Sequence, residues 1–144
     1  MAQVSNQQQE PRPPAGTRVD GDGKHDAPCG GGQIQIRQNA HRVRVIHQGI
    51  TVADTLEALT LSETGVPDML YIPRADVNTA RLERSTHTSH CPYKGDASYF
   101  HLRTEDGLVE NAVWSYEAPL EEVKQIKEYL AFYASRVDRI DQTS

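Results

Sequence analysis

The sequence predicts an α+β domain, mostly β, in which several short antiparallel strands precede one C-terminal helix. Three observations carry this expectation. Apolar residues alternate with period two from Ile34 onward, and two longer alternating runs are joined by Thr104-Glu105-Asp106-Gly107. After Tyr116 the apolar spacing changes to steps of three and four.

Ile34 and Ile36, Val43 and Val45, and Ile50 and Val52 mark the first strands, and Gln48-Gly49 closes residues 42–54 into a hairpin. A further strand is expected over 58–63, ending at Thr64-Gly65-Val66-Pro67, where chain-breaking residues cluster. Residues 69–72 form a short apolar strand stopped by Pro73, and 76–82 a single helical turn with Asp76 as its N-cap. Residues 86–89 are extended and lead into a tight turn at Cys91-Pro92-Tyr93-Lys94-Gly95; 97–103 and 108–116 then pair as the clearest hairpin in the chain. Leu120, Val123, Ile126, Leu130, Tyr133, Val137 and Ile140 fall on one helix face of about five turns. Pro119 suits the first helical position, Glu121 and Glu122 suit the positive end of the dipole, and Arg136 and Arg139 the negative end.

The chain of 144 residues carries 15 basic and 20 acidic side chains, a net charge of -5, a pI near 5.6 and 37% hydrophobic residues. That length suits one domain. No run approaches the roughly 18 apolar residues of a membrane span, and the N-terminus shows no apolar stretch of a secretory signal. The acidity argues against bulk nucleic-acid binding. Two cysteines, Cys29 and Cys91, do not make a disulfide framework. A cytoplasmic protein is expected, with no membrane partner. Residues 1–33 hold six of the ten glycines, four of the eight prolines and no aromatic, Leu or Ile, which reads as a disordered leader. The expected domain is 34–140, with 141–144 as a tail; the chain from 34 onward carries all nine aromatics and -4 of the net charge.

Four constellations could carry chemistry. Arg74 follows a strand and Pro73, so it could clamp a carboxylate or phosphate with Asp76 orienting it; the plain alternative is an Arg74–Asp76 pair that holds a loop. Thr88-Ser89-His90-Cys91-Pro92-Tyr93-Lys94-Gly95 sets hydroxyls, an imidazole, a thiol and an ammonium close together. A thiol near a cation is a better nucleophile, which makes Cys91 a candidate catalytic residue with His90 or His101 as base and Lys94 a candidate for binding an anion. The alternative is a small buried Cys in a tight inter-strand turn. Zinc is disfavoured: Cys29, His87, His90, Cys91 and His101 show no Cys-x-x-Cys or His-x-x-x-His pair. No metal site and no cofactor is expected. Trp114 and Tyr116 face one side of a strand and make an aromatic wall that is either core or ligand platform. Neither common nucleotide loop is present, and the only Asp-x-Asp, Asp20-Gly21-Asp22, lies in the leader.

The hydrophobic hairpin over residues 43–53, then Glu63-Thr64-Gly65, Tyr71-Ile72-Pro73-Arg74-Ala75-Asp76-Val77, Thr88-x-x-Cys91-Pro92-Tyr93-Lys94-Gly95, Tyr99, Trp114-Ser115-Tyr116, Pro119, and Ala131-Phe132-Tyr133 before Val137-Asp138 follow one another in order. As a set, over about 40–140, they resemble the small family called domain of unknown function 427, which also carries a nucleotidyltransferase-like label. The resemblance implies two small antiparallel sheets meeting at an angle, tent-like, with a C-terminal helix. The Gly-Ser and Asp-x-Asp arrangement that the transferase label requires is missing from the body, so nucleotidyl transfer is the reading these residues disfavour most.

The leading expectation is a domain that binds a small anionic molecule between its sheets. Tyr71, Trp114 and Tyr116 would supply the wall, Arg74 and Lys94 the positive charge, and Asp76, Thr88 and Cys91 the polar edges. A thiol-dependent enzyme using Cys91, and an interaction module without chemistry, are the alternatives; the sequence leaves oligomeric state open.

Overall fold

The alternating runs become ten strands in the computed structural model, which describes residues 26–30 and 33–143. In chain order these are β1 (Ile34–Gln38), β2 (Arg42–His47), β3 (Ile50–Thr55), β4 (Leu59–Glu63), β5 (Val66–Tyr71), β6 (Leu82–Cys91), β7 (Gly95–Thr104), β8 (Gly107–Ser115), β9 (Ala131–Phe132) and β10 (Arg139–Thr143). Every pairing among them is antiparallel, in three sheets of order β1-β4-β5, β10-β2-β3 and β6-β7-β8-β9.

Local chemistry explains the hairpins. Gln48 and Gly49 both have positive φ, 52° and 76°, the backbone of a two-residue turn whose twist matches its strands. Gly107, at φ 136°, lets the chain reverse between β7 and β8, where Leu102 pairs with Val109 and Tyr99 with Trp114.

The four-stranded sheet is the middle layer. Along it, Ala97, Tyr99, Trp114, Tyr116 and Ala131 join a core with Leu61 of β4 and Tyr71 of β5. Phe100, Leu102, Ala112, Val113 and Phe132 join another with Val43, Val45, Val52 and Ala53 of β2 and β3. Side chains alternate across a strand, so these two cores lie on opposite faces of one sheet.

The structure corrects several expectations. There are three sheets rather than two, and no C-terminal helix among the described residues: the fold is mostly β, with helical geometry limited to 3-10 turns. The stretch expected to be helical is a 3-10 segment, Glu121–Ile126, kinked at Val123 (φ -124°, ψ 26°), then β9, a turn at Ala134–Arg136, and β10. Its apolar residues are used, but on different partners. Val123 and Ile126 pack near Trp114, Leu130 exchanges two 2.8 Å backbone hydrogen bonds with Ile72, and Ile140 pairs with Val45. Two strand edges, those of β8 and β2, would carry unpaired backbone groups, and satisfying them outweighs a helix propensity worth tenths of a kcal/mol per residue. Residues 141–143, expected as a tail, continue β10. The helical turn expected over 76–82 becomes two 3-10 turns, Arg74–Asp76 and Thr79–Arg81, and Asp76 caps neither. Residues 26–30, expected within the leader, pack on the domain; residues 1–25, 31 and 32 of that leader lie outside the described residues.

Candidate functional site

Strand β4 alternates Leu59, Leu61 and Glu63 toward one core, which delivers a carboxylate to an apolar face. The turn after β6 delivers an ammonium to the same place. Its backbone is held by Lys94 N–H on the Cys91 carbonyl (3.2 Å) and Leu120 N–H on the Lys94 carbonyl (3.0 Å), and Gly95 completes it at φ 111°. Lys94 and Glu63 then meet at 2.5 Å, both side chains 1% exposed. A pair so buried stands in a medium where charge interactions are strong and losing one partner is costly.

Aromatic rings surround the pair. Trp114 donates its indole N–H to the Tyr71 hydroxyl at 3.2 Å, with the rings edge to face, and stacks at a tilt on Tyr133 with centroids 4.5 Å apart. Tyr99 shares a 2.8 Å hydrogen bond with Ser89 and lies 4.6 Å, centroid to centroid, from His87. Burial raises the pKa of Tyr71, Tyr99, Tyr116 and Tyr133, so all four phenols keep their protons near neutrality.

Residues 26–30 cover this assembly. Ala27 donates its N–H to the Tyr99 hydroxyl (2.6 Å), Gly30 donates its N–H to the second oxygen of Glu63 (2.8 Å), and the Asp26 carboxylate meets His87 Nε2 at 2.8 Å. Cys29 is disulfide-bonded to Cys91, which corrects the expectation of two separate thiols and ties up the candidate nucleophile in this state. Cys29, Cys91 and Glu63 are also three donors within 4.8 Å. As a disulfide, however, the sulfurs offer no thiolate, and the ammonium of Lys94 already holds the carboxylate.

Of the residues singled out from sequence, Tyr71, Cys91, Lys94, Trp114 and Tyr116 are therefore brought together. The others are elsewhere. Arg74 lies across the middle sheet, donating to the Glu128 carbonyl (2.9 Å), the Ser115 hydroxyl (3.1 Å) and Glu117 (3.2 Å). Arg84 grips the same Glu117 with both terminal nitrogens, and both guanidinium groups lie over the Phe100 ring. The hydrogen bond from Arg84, with Arg74 adding its charge, holds the Glu117 carboxyl below the usual glutamate range. Asp76 accepts the Thr55 hydroxyl hydrogen at 2.7 Å. Thr88 and His90 are exposed on the face of β6 opposite Cys91, with His90 on Asp96 at 2.7 Å, and His101 accepts the Asn111 N–H at 3.0 Å. Glu63, Tyr99 and Tyr133 were not given a site role from sequence, Cys29 and His87 were weighed only as zinc donors, and Ser89 only as one of the hydroxyls near Cys91. The signal was period two: Leu59, Leu61 and Glu63 share a face, as do His87, Ser89 and Cys91.

Fold and site together define a small all-antiparallel β domain with a buried Lys–Glu pair set among aromatic rings. Residues 35–143 match the domain of unknown function 427, and the chain belongs to that family. No curated protein matches the chain.

Proposed function

We propose that the domain binds a small molecule in the place that residues 26–30 occupy in this structure. The aromatic rings are its wall and the Lys94–Glu63 pair its polar end. The pair itself carries the reading. A buried ion pair is weak support for stability, because apolar replacements of similar volume are often neutral or stabilising. Glu63, moreover, gives its second oxygen to an N–H of the covering segment rather than to the sheets. An apolar recess with a few convergent polar groups is the usual form of a small-ligand site. An ammonium has three N–H donors, of which Glu63 takes one, and an anionic oxygen of the ligand is assigned to another. Tyr71, Lys94, Trp114 and Tyr116 belong to this site, whereas Arg74, Asp76 and Thr88 fall outside it.

Isothermal titration of nucleotides and carboxylated metabolites into the Cys29→Ser chain tests the proposal. The tightest ligand should lose about tenfold or more in affinity on Lys94→Met, the cost of one charge-assisted hydrogen bond, and nothing on Arg74→Ala. Affinity unchanged by Lys94→Met would place the site elsewhere.

A second reading, thiol chemistry at Cys91, is favoured by one observation: Cys91 already forms a bond with another sulfur, beside the Lys94–Glu63 pair. Alkylation of Cys91 in the reduced chain, faster than that of a free thiol at neutral pH, is the expected result. Slow alkylation would mark a structural sulfur.

A further inference from the structure

We infer that the surface around Cys91 recognises a cysteinyl-glycine thiol, the chemical class of glutathione, and that Cys29-Gly30 is the chain's own occupant of that site. The inference rests on the thiol reading of Cys91 and names its substrate class.

Two features select the two residues. The sulfur position is defined by the bond from Cys29 to Cys91. The next position is defined by hydrogen bonding and by lack of space. Gly30 gives its N–H to Glu63 at 2.8 Å, and a Cβ there would overlap the Thr64 carbonyl oxygen, a backbone atom. A side chain on the residue after the cysteine would therefore force the Thr64 backbone to shift, which disfavours any residue but glycine. Ahead of the cysteine the surface offers Tyr99, which accepts the Ala27 N–H, and His87, which holds the Asp26 carboxylate. Those contacts are made two and three residues ahead of Cys29; glutathione has a single γ-glutamyl residue on that side, with a carboxylate and an ammonium, and a glycine ending in a carboxylate on the other.

The chemistry is thiol–disulfide exchange. The Cys91 thiol loses its proton to solvent, and the thiolate attacks one sulfur of a glutathione disulfide. The Cys91–S–S–glutathione bond forms as the original S–S bond breaks. The departing glutathione thiolate takes a proton from solvent; the Cys91 sulfur is oxidised and the departing sulfur reduced. Cys29, as thiolate, then attacks the Cys91 sulfur, restoring the intramolecular disulfide and releasing the second glutathione.

The test uses the reduced Cys29→Ser chain, in which Cys91 has no internal partner, with three probes: oxidised glutathione, the disulfide of γ-glutamyl-cysteinyl-alanine, and cystamine. Intact mass reports the mixed disulfide with time. Glutathione should react about tenfold or more faster than the alanine analogue, the equivalent of forcing one methyl into a filled site. Equal rates for all three probes would overturn the recognition while leaving a reactive thiol. No adduct from any probe, in a chain whose tryptophan fluorescence remains native, would overturn the thiol reading itself. A second measurement uses the full chain with both cysteines: Gly30→Ala should allow dithiothreitol to open Cys29–Cys91 at about tenfold lower concentration. An unchanged opening concentration would show that the glycine position is not read.

Discussion

The two faces of the β6-β7-β8-β9 sheet are packed by opposite means. One is filled by Val43, Val45, Val52, Phe100, Leu102 and Val113, with charge kept to its rim where Arg74 and Arg84 hold Glu117. The other buries an ammonium, a carboxylate, four phenols and an indole around a disulfide. The apolar face needs only shape and volume to be stable. The polar face needs each donor and acceptor matched, so a single lost partner costs it more than a single lost methyl costs the apolar face.

That contrast can be broken, and the largest effect should come from Glu63→Ala. It leaves the Lys94 charge buried without its partner and should cost about 3–5 kcal/mol in urea unfolding. Replacing both partners, as Glu63→Leu with Lys94→Met, should recover that loss and could exceed wild type by about 1–4 kcal/mol. If the double variant is as unstable as the single one, the pair is structural and the two faces differ less than described here.

On the other face, Leu102→Ala should cost about 2–5 kcal/mol through lost burial and the cavity left behind, with no change in the reactivity of Cys91. A change in alkylation rate with that variant would mean the two cores are coupled through the sheet. Reducing Cys29–Cys91, which closes 62 positions of sequence, should lower stability by about 2–4 kcal/mol, read as the shift in urea midpoint with and without reductant.

The smallest effect belongs to the rim. Arg84→Ala should cost no more than about 1 kcal/mol, as partly exposed pairs do. Because Glu117 titrates below its ordinary value in the folded chain, its pairing contributes fully above the usual glutamate pKa of about 4.3 and is lost as pH falls through the lower folded value. The gap between wild type and Arg84→Ala should therefore close on acidification below about pH 4. A gap that persists at lower pH would assign the effect to stacking on Phe100 instead.

The hairpins could be read from sequence because each is specified within a few residues. Gln48-Gly49 and the Thr104–Gly107 turn carry their own backbone requirements, and both pair as expected. Part of the site was legible for the same reason: Lys94 and Cys91 share one turn, and Trp114 and Tyr116 share one strand face. Tyr99 reaches Trp114 through the register of the β7–β8 hairpin, whereas Glu63 is joined to them only by packing of β4 against that sheet, which no local pattern encodes. Arg74 and Lys94 looked alike from sequence, as loop cations beside strands, yet a sheet separates them.

By itself the sequence determined where the chain turns, which residues alternate, and that Cys91 and Lys94 share one turn, because turn geometry and period two are properties of neighbouring residues. Tertiary structure alone decided that a stretch with helical spacing would supply sheet edges, that Glu63 would meet Lys94, and that Cys29 would reach Cys91. Those outcomes depend on which unpaired edges and buried charges remain once the strands have assembled, and that sum is taken over the whole chain.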